Sequence, residues 1–253
     1  MRGIIACLGI IWTQSSWKLR IPSFFSNAII TLAMTAQRFL AFRSCPLFDV
    51  VRRLFQPTRS HEPAGLELFM RRQGAFVAQK TVLDYCRVKL GRDEKKYFED
   101  SDFVAALQHC RWQVYPGAMA DVTALVEAWL RPHVPDQKRL LAEGLSLLHA
   151  NILSTENPPR EEVETLTAAI AALPGHLARL QLAAAYGAHK LPLQAEAPLL
   201  ATLPIHPEQR VGEALAIKGA LRFHIVSTQQ EMERAFDAEP LAHNLIALVG
   251  HAE

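Results

Sequence analysis

The residues whose types and spacing suggest chemistry sit in two near-matching stretches, "LDYCRVKL" at 83–90 and "LQHCRWQV" at 107–114. Each reads Leu, two variable residues, Cys-Arg, two more and an aliphatic residue. Paired thiols could form a disulfide, a Cys beside His109 could ligate a metal, and paired guanidinium groups could clamp an anion. Cys86 lies three after Leu83 and four before Leu90, and Cys110 has the same offsets from Leu107 and Val114. These are same-face offsets on a helix, so both thiols are predicted to be small buried hydrophobes. Their helices, predicted over 62–90 and 101–115, would turn near 95–96. The two cysteines are then out of register by about five residues, an axial offset of roughly 7 Å, too far for a bridge once lateral separation is added.

Attention therefore moves one position along, to Arg87 and Arg111, which border the apolar stripes. Gln73, Lys80 and Arg87 form a seven-spaced polar ladder, and Asp84 is placed to pair with Lys80 or with Arg87. Two readings are open. In one, the arginines staple neighbouring helices through Asp84, Asp121 or a carbonyl while their stems cover the core edge. In the other, Lys80, Asp84, Arg87 and Arg111 form a ligand-binding cleft for a small anion or an acidic partner segment.

Further chemistry is sparse. The chain has no GxSxG, HExxH, GxxxxGK[ST] or GxGxxG motif, and no Glu-x-x-His pair of the kind used by di-iron bundles. "EDSD" at 99–102, with "YCR" at 85–87, resembles all-helical isoprenoid synthases. Those enzymes need carboxylate clusters on facing helices, and here "DSD" sits where a helix cap belongs with no second cluster, so the resemblance is not carried. The ten histidines are dispersed, and lone ones such as His149, His176 and His224 are expected at the surface or in caps rather than as ligands. No metal, no cofactor and no catalytic residue is predicted.

The elements that must hold these residues are helical. From Ser60 onward the apolar period is close to 3.6 and strand patterns are nearly absent. Phe69, Phe76, Leu83 and Leu90 repeat every seven residues along the first long helix, with Val77 widening the stripe. "DSDF" caps the next helix, which "YPG" at 115–117 should end or kink. Further helices are expected over about 118–131 and from "VPD" through Ile152, then, after a polar linker at 154–162, near 160–173, 176–189, 194–203, 208–226, 229–237 and 240–249. The fold expected is all-α, an irregular bundle or array of nine to ten helices. Its parts would be a basic segment 1–59, a bundle 60–153 and an Ala/Leu-rich region 160–253 that can pack with it as one domain.

Charge separates the head from the body. Residues 1–60 carry eight Lys/Arg against one acid, Asp49, for a net +7; the rest carries 19 basic against 24 acidic residues, a net −5. An acidic body is a poor nucleic-acid binder, because phosphate contact needs a basic face. The basic head fits a mitochondrial targeting segment, an over-long start with translation beginning at Met34, or a membrane-surface contact, and residues 38–59 include a short basic amphipathic stretch. Four cysteines without zinc spacing fit a reducing compartment, cytoplasmic or matrix-like. Taken together, these features favour a non-enzymatic interaction or assembly protein with a protein partner, peripheral to a membrane through 38–59. The alternative is a small-anion site, of a kind an enzyme could use, at Lys80, Arg87 and Arg111.

Overall fold

The computed structural model describes residues 59–250, and the segment 38–58, with its membrane-surface reading, lies outside them. The described chain is predominantly helical and contains no strand. Its helices are α1 (Pro63–Leu90), α2 (Glu94–Glu99), α3 (Ser101–Leu130), α4 (Lys138–Ser154), α5 (Val163–Leu180), α6 (Glu196–Thr202), α7 (Ala214–Ala235) and α8 (Ala238–Gly250). The expected nine to ten is not confirmed, and the particular mergers have physical reasons.

Helix α3 runs straight through "YPG", with Pro116 inside it. Proline removes one backbone hydrogen bond and normally kinks or breaks a helix. Here packing outweighs that cost: from Val114 to Ala128 every residue except Gly117 is buried. An α-helix that is apolar all round is a central one, and α3 touches α1, α4, α5, α6, α7 and α8. The Asp100 carboxylate accepts the N–H groups of Asp102 (2.8 Å) and Phe103 (3.1 Å), the cap foreseen in "DSDF". Between α1 and α3 the chain forms a short 3-10 turn and α2 rather than a tight turn at 95–96.

Helix α5 likewise passes through Pro174, and the predicted helix at 176–189 ends early, at Leu180. Residues 181–195 are irregular, which leaves carbonyls at the helix end needing donors. Arg131 donates through Nη1 to the carbonyls of Leu180 (3.3 Å) and Ala183 (2.7 Å), and Lys138 donates to Gln181 O. The two helices predicted at 208–226 and 229–237 are one, α7, because nothing between them breaks a helix. The polar pair Ser227 and Thr228 lies between them, and the Thr228 hydroxyl bonds back to His224 O (3.0 Å) in the preceding turn. The polar stretch 154–162 is tied down: Arg71 bonds Glu156 (3.0 Å) and Thr155 (2.8 Å), and Glu162 is buried.

The stripe of α1 that enters the core is Leu66, Met70, Val77, Val82 and Cys86. The seven-spaced Phe69, Leu83 and Leu90 lie at its margin and Phe76 is exposed. Gln73, on the predicted polar ladder, is buried and donates to Glu231 on α7 at 2.5 Å. At the far end Ser60 donates to Ala235 O and accepts from Asp237 N, tying the start of α1 to the α7–α8 junction.

Gly117 is the closest approach between α3 and the irregular segment. A Cβ there would lie 2.7 Å from Ala195 Cα and 2.8 Å from its nitrogen, both backbone atoms that cannot swing aside. Gly117→Ala should therefore destabilise the fold by about 1–3 kcal/mol despite the better helix propensity of alanine. Gly175→Ala, at an exposed position of α5 whose nearest atom is an Arg179 Nη1 at 3.6 Å, should stabilise it by about 0.5–1 kcal/mol. Thermal melts of the two variants should move in opposite directions.

Candidate functional site

The sequence-derived set divides between separate partners. Lys80 pairs with Asp84 one turn on in α1, Nζ to Oδ2 at 2.9 Å. Arg87 reaches past Asp84 to Glu94 at the start of α2, Nε to Oε1 at 3.0 Å. Both pairs are substantially solvent-exposed, where an ion pair contributes roughly 0–1 kcal/mol. Arg111 is half-buried on α3 beside Cys110, and desolvation holds its guanidinium below the ordinary value.

Cys86 and Cys110 are buried free thiols, as their offsets predict. Burial pushes Cys86 up to about 12, with Cys110 adding to it. Burial also pushes Cys110 up to about 11, against the lowering effect of Thr202, Arg210 and Arg111. Thiols held protonated in this way are poor nucleophiles and poor metal ligands. Among the described residues no group of three or more His, Cys, Asp or Glu is placed to hold a metal. Beside them, Tyr85 donates to Glu213 Oε2 (2.6 Å) and Lys89 to Oε1 (2.5 Å). These two bonds, that of Lys89 first, lower the Glu213 carboxyl.

The deeply buried titratable groups belong to the core. His149, expected at the surface or in a cap, is fully buried. It sits four after Leu145 and three before Ile152, on the apolar face of α4, and that spacing was the available signal. The Thr123 hydroxyl donates to Met119 O (2.7 Å), so His149 Nδ1, 3.2 Å away, carries the proton and donates to Thr123. Burial lowers its pKa to about 4. His176 and His224 are also buried and lowered, mainly by desolvation. Asp121 is fully buried in α3 and accepts the backbone N–H of Gln194 (2.5 Å) and Ala195 (3.1 Å). Those amides and Arg222 favour the carboxylate, but burial outweighs them and raises the group to about 7.

The feature the sequence reading missed is the outer face of α7. Between 211 and 227 every exposed position is apolar or glycine, Val211, Leu215, Ala216, Gly219, Ala220 and Phe223 among them. Phe223 is 69% and Leu215 83% exposed. Phe76 of α1 extends the face, since its ring and that of Phe223 each pack edge-on against His224 at 5.6 Å. The charges of the same stretch are partnered within the chain. Glu213 meets α1, Lys218 pairs with Glu196, and Arg222 donates to the carbonyls of Ala188 (3.1 Å) and Leu191 (2.7 Å). From Gln230 the same helix returns to the ordinary pattern, with Gln230, Glu231 and Arg234 exposed. Spacing alone gave no signal: Glu213 and Arg222 lie on opposite sides of the helical wheel, and it is their partners in other elements that leave this face apolar.

No family model, curated protein or solved structure matches this chain. No helix among the described residues is long and apolar enough to cross a membrane.

The two buried groups make a pH prediction. His149 has a folded pKa below its ordinary 6.5, so its contribution is full above that value and is lost as pH falls from 6.5 through about 4. Asp121 has a folded pKa above its ordinary 3.8, so its contribution is full at low pH and is lost as pH rises through about 7. Each slope is about 1.4 kcal/mol per pH unit, and the two oppose each other between pH 4 and 6.5. Relative to the parent, His149→Leu should gain stability on acidification across this window and Asp121→Asn should lose it. Urea titrations at pH 4.5, 5.5 and 6.5 would read both slopes.

Proposed function

We propose that this chain is a non-enzymatic interaction or assembly module whose docking surface is the outer face of α7 together with Phe76. The observation that carries this reading is the first half of α7, where Lys218 and Arg222 are partnered within the chain while Leu215 and Phe223 stand in water beside a core stripe of Ile217, Leu221 and Ile225. Contiguous exposed apolar surface of this kind marks interaction sites more often than it occurs idly. The paired, exposed state of Lys80 and Arg87 gives no comparable support to an anion cleft. The open groove of about 510 Å³ beside Arg92, Glu94 and Lys95 is at the α1–α2 turn and gathers no buried polar group.

The test is site-directed photo-crosslinking in cells. With p-benzoylphenylalanine in place of Phe223 or Leu215, discrete adducts should form. With the same group in place of Gln230, exposed on the polar end of the same helix, they should not. Equal labelling at all three positions, or none at any, would sink the docking surface.

A further inference from the structure

We infer that the occupant of the α7 face is a second copy of this chain, packed antiparallel across a two-fold axis at Gly219. The inference rests on the docking reading above and adds the partner. Gly219 is exposed, and a Cβ built on it would meet nothing within 4 Å, so this point of the helix is open to a close neighbour. Leu215 and Phe223 lie four residues to either side of it, on the same face. A two-fold axis at Gly219 therefore sets each Phe223 against the other copy's Leu215, with the two glycines facing each other between them. Large side chains at both ends and a small centre make a self-complementary surface, as an isologous contact requires.

Charge agrees with this register. Residues equidistant from Gly219 come together, so Lys218 faces the other copy's Ala220 and Arg222 faces the other copy's Ala216. No cation meets a cation. The same two cations argue against a lipid surface as the occupant. Lys218 is neutralised by Glu196, and the Arg222 guanidinium is held by the carbonyls of Ala188 and Leu191, so the rim offers little to anionic headgroups. Val211, Leu215, Phe223 and Phe76 are 80%, 83%, 69% and 44% exposed, so pairing would take large apolar side chains of both copies out of water.

The experiment is sedimentation and disulfide trapping of the full 253-residue chain. The parent should sediment as a dimer at micromolar concentration. Leu215→Asp and Phe223→Asp should each weaken association more than tenfold while the helical circular dichroism signal stays at the parent value, since both side chains are exposed within a single copy; any fall in melting temperature should match the lost association. Gly219→Cys alone should trap a species of twice the chain's mass under mild oxidation. Leu215→Cys mixed with Phe223→Cys should trap the mixed pair faster than either variant traps itself. The parent chain, which retains its four cysteines, sets the background. A monomeric parent at about 100 µM, a dimer indifferent to both Asp substitutions, or trapping no faster than background would each overturn the two-fold contact. Crosslinks from position 223 to a protein of another mass, with a monomeric parent, would reject self-pairing and leave the docking surface standing. Absence of any crosslink would reject both.

Discussion

The grip of the Asp121 carboxylate on the backbone of Gln194 and Ala195 is the contact on which the rest of the arrangement depends. Helix α3 is surrounded on all sides, so any polar side chain in its middle must find partners in whatever packs against it. Asp121 finds two backbone amides, and Gly117, one turn earlier, removes the side chain that would hold that backbone off. This fixes where the irregular segment 181–195 ends and where α6 begins. From there Glu196 is positioned for Lys218, and the carbonyls of Ala188 and Leu191 are positioned for Arg222. One carboxylate in a different helix thus contributes to the setting of α7, which also packs directly along α1.

Three arginines share a task that follows from the irregular connections. Arg131 satisfies carbonyls at the end of α5, Arg210 those of Leu200 in the last turn of α6 and Ile205 just beyond it, and Arg222 those of the 181–195 segment. Backbone acceptors buried without partners cost about as much as a lost hydrogen bond each, and a long side chain with several donors can reach two at once. The consequence for α7 is that Arg222 and Lys218 turn toward the protein. The inward side of α7 is the apolar stripe Ile217, Leu221, Ile225 and Met232, and Lys218 and Arg222 flank it toward their partners.

Much of the architecture was legible in the sequence because helical period and capping are local. The span of α1, the Asp100 cap and the burial of Cys86 and Cys110 all follow from spacing. Pro116 and Pro174 misled because proline's cost is local while the packing that outweighs it comes from elements distant in sequence. Leu83 and Leu90 were read as core, yet the helix turned its other apolar stripe inward, toward α3. Arg87 and Arg111 drew attention through a repeated dipeptide. The α7 face was hidden because apolar residues on two sides of a helix carry no label saying which side is inside. Only the partners of Glu213, Lys218 and Arg222 settle that, and they lie outside the helix.

The two ends of α7 form an internal comparison. Past Gln230 its exposed positions are Glu231, Arg234 and the terminal Ala235, and the helix continues without interruption to that residue. Folding thus accepts hydrophilic side chains on the outside of this helix. Leu215 and Phe223 are mostly in water, so they contribute little to the fold, and their apolar character cannot be assigned to core packing. Leu215 and Phe223 are thus positions of this helix whose polarity the fold constrains little. Under the proposed docking role, burial against another surface is what would favour Leu, Gly and Phe at intervals of one helical turn.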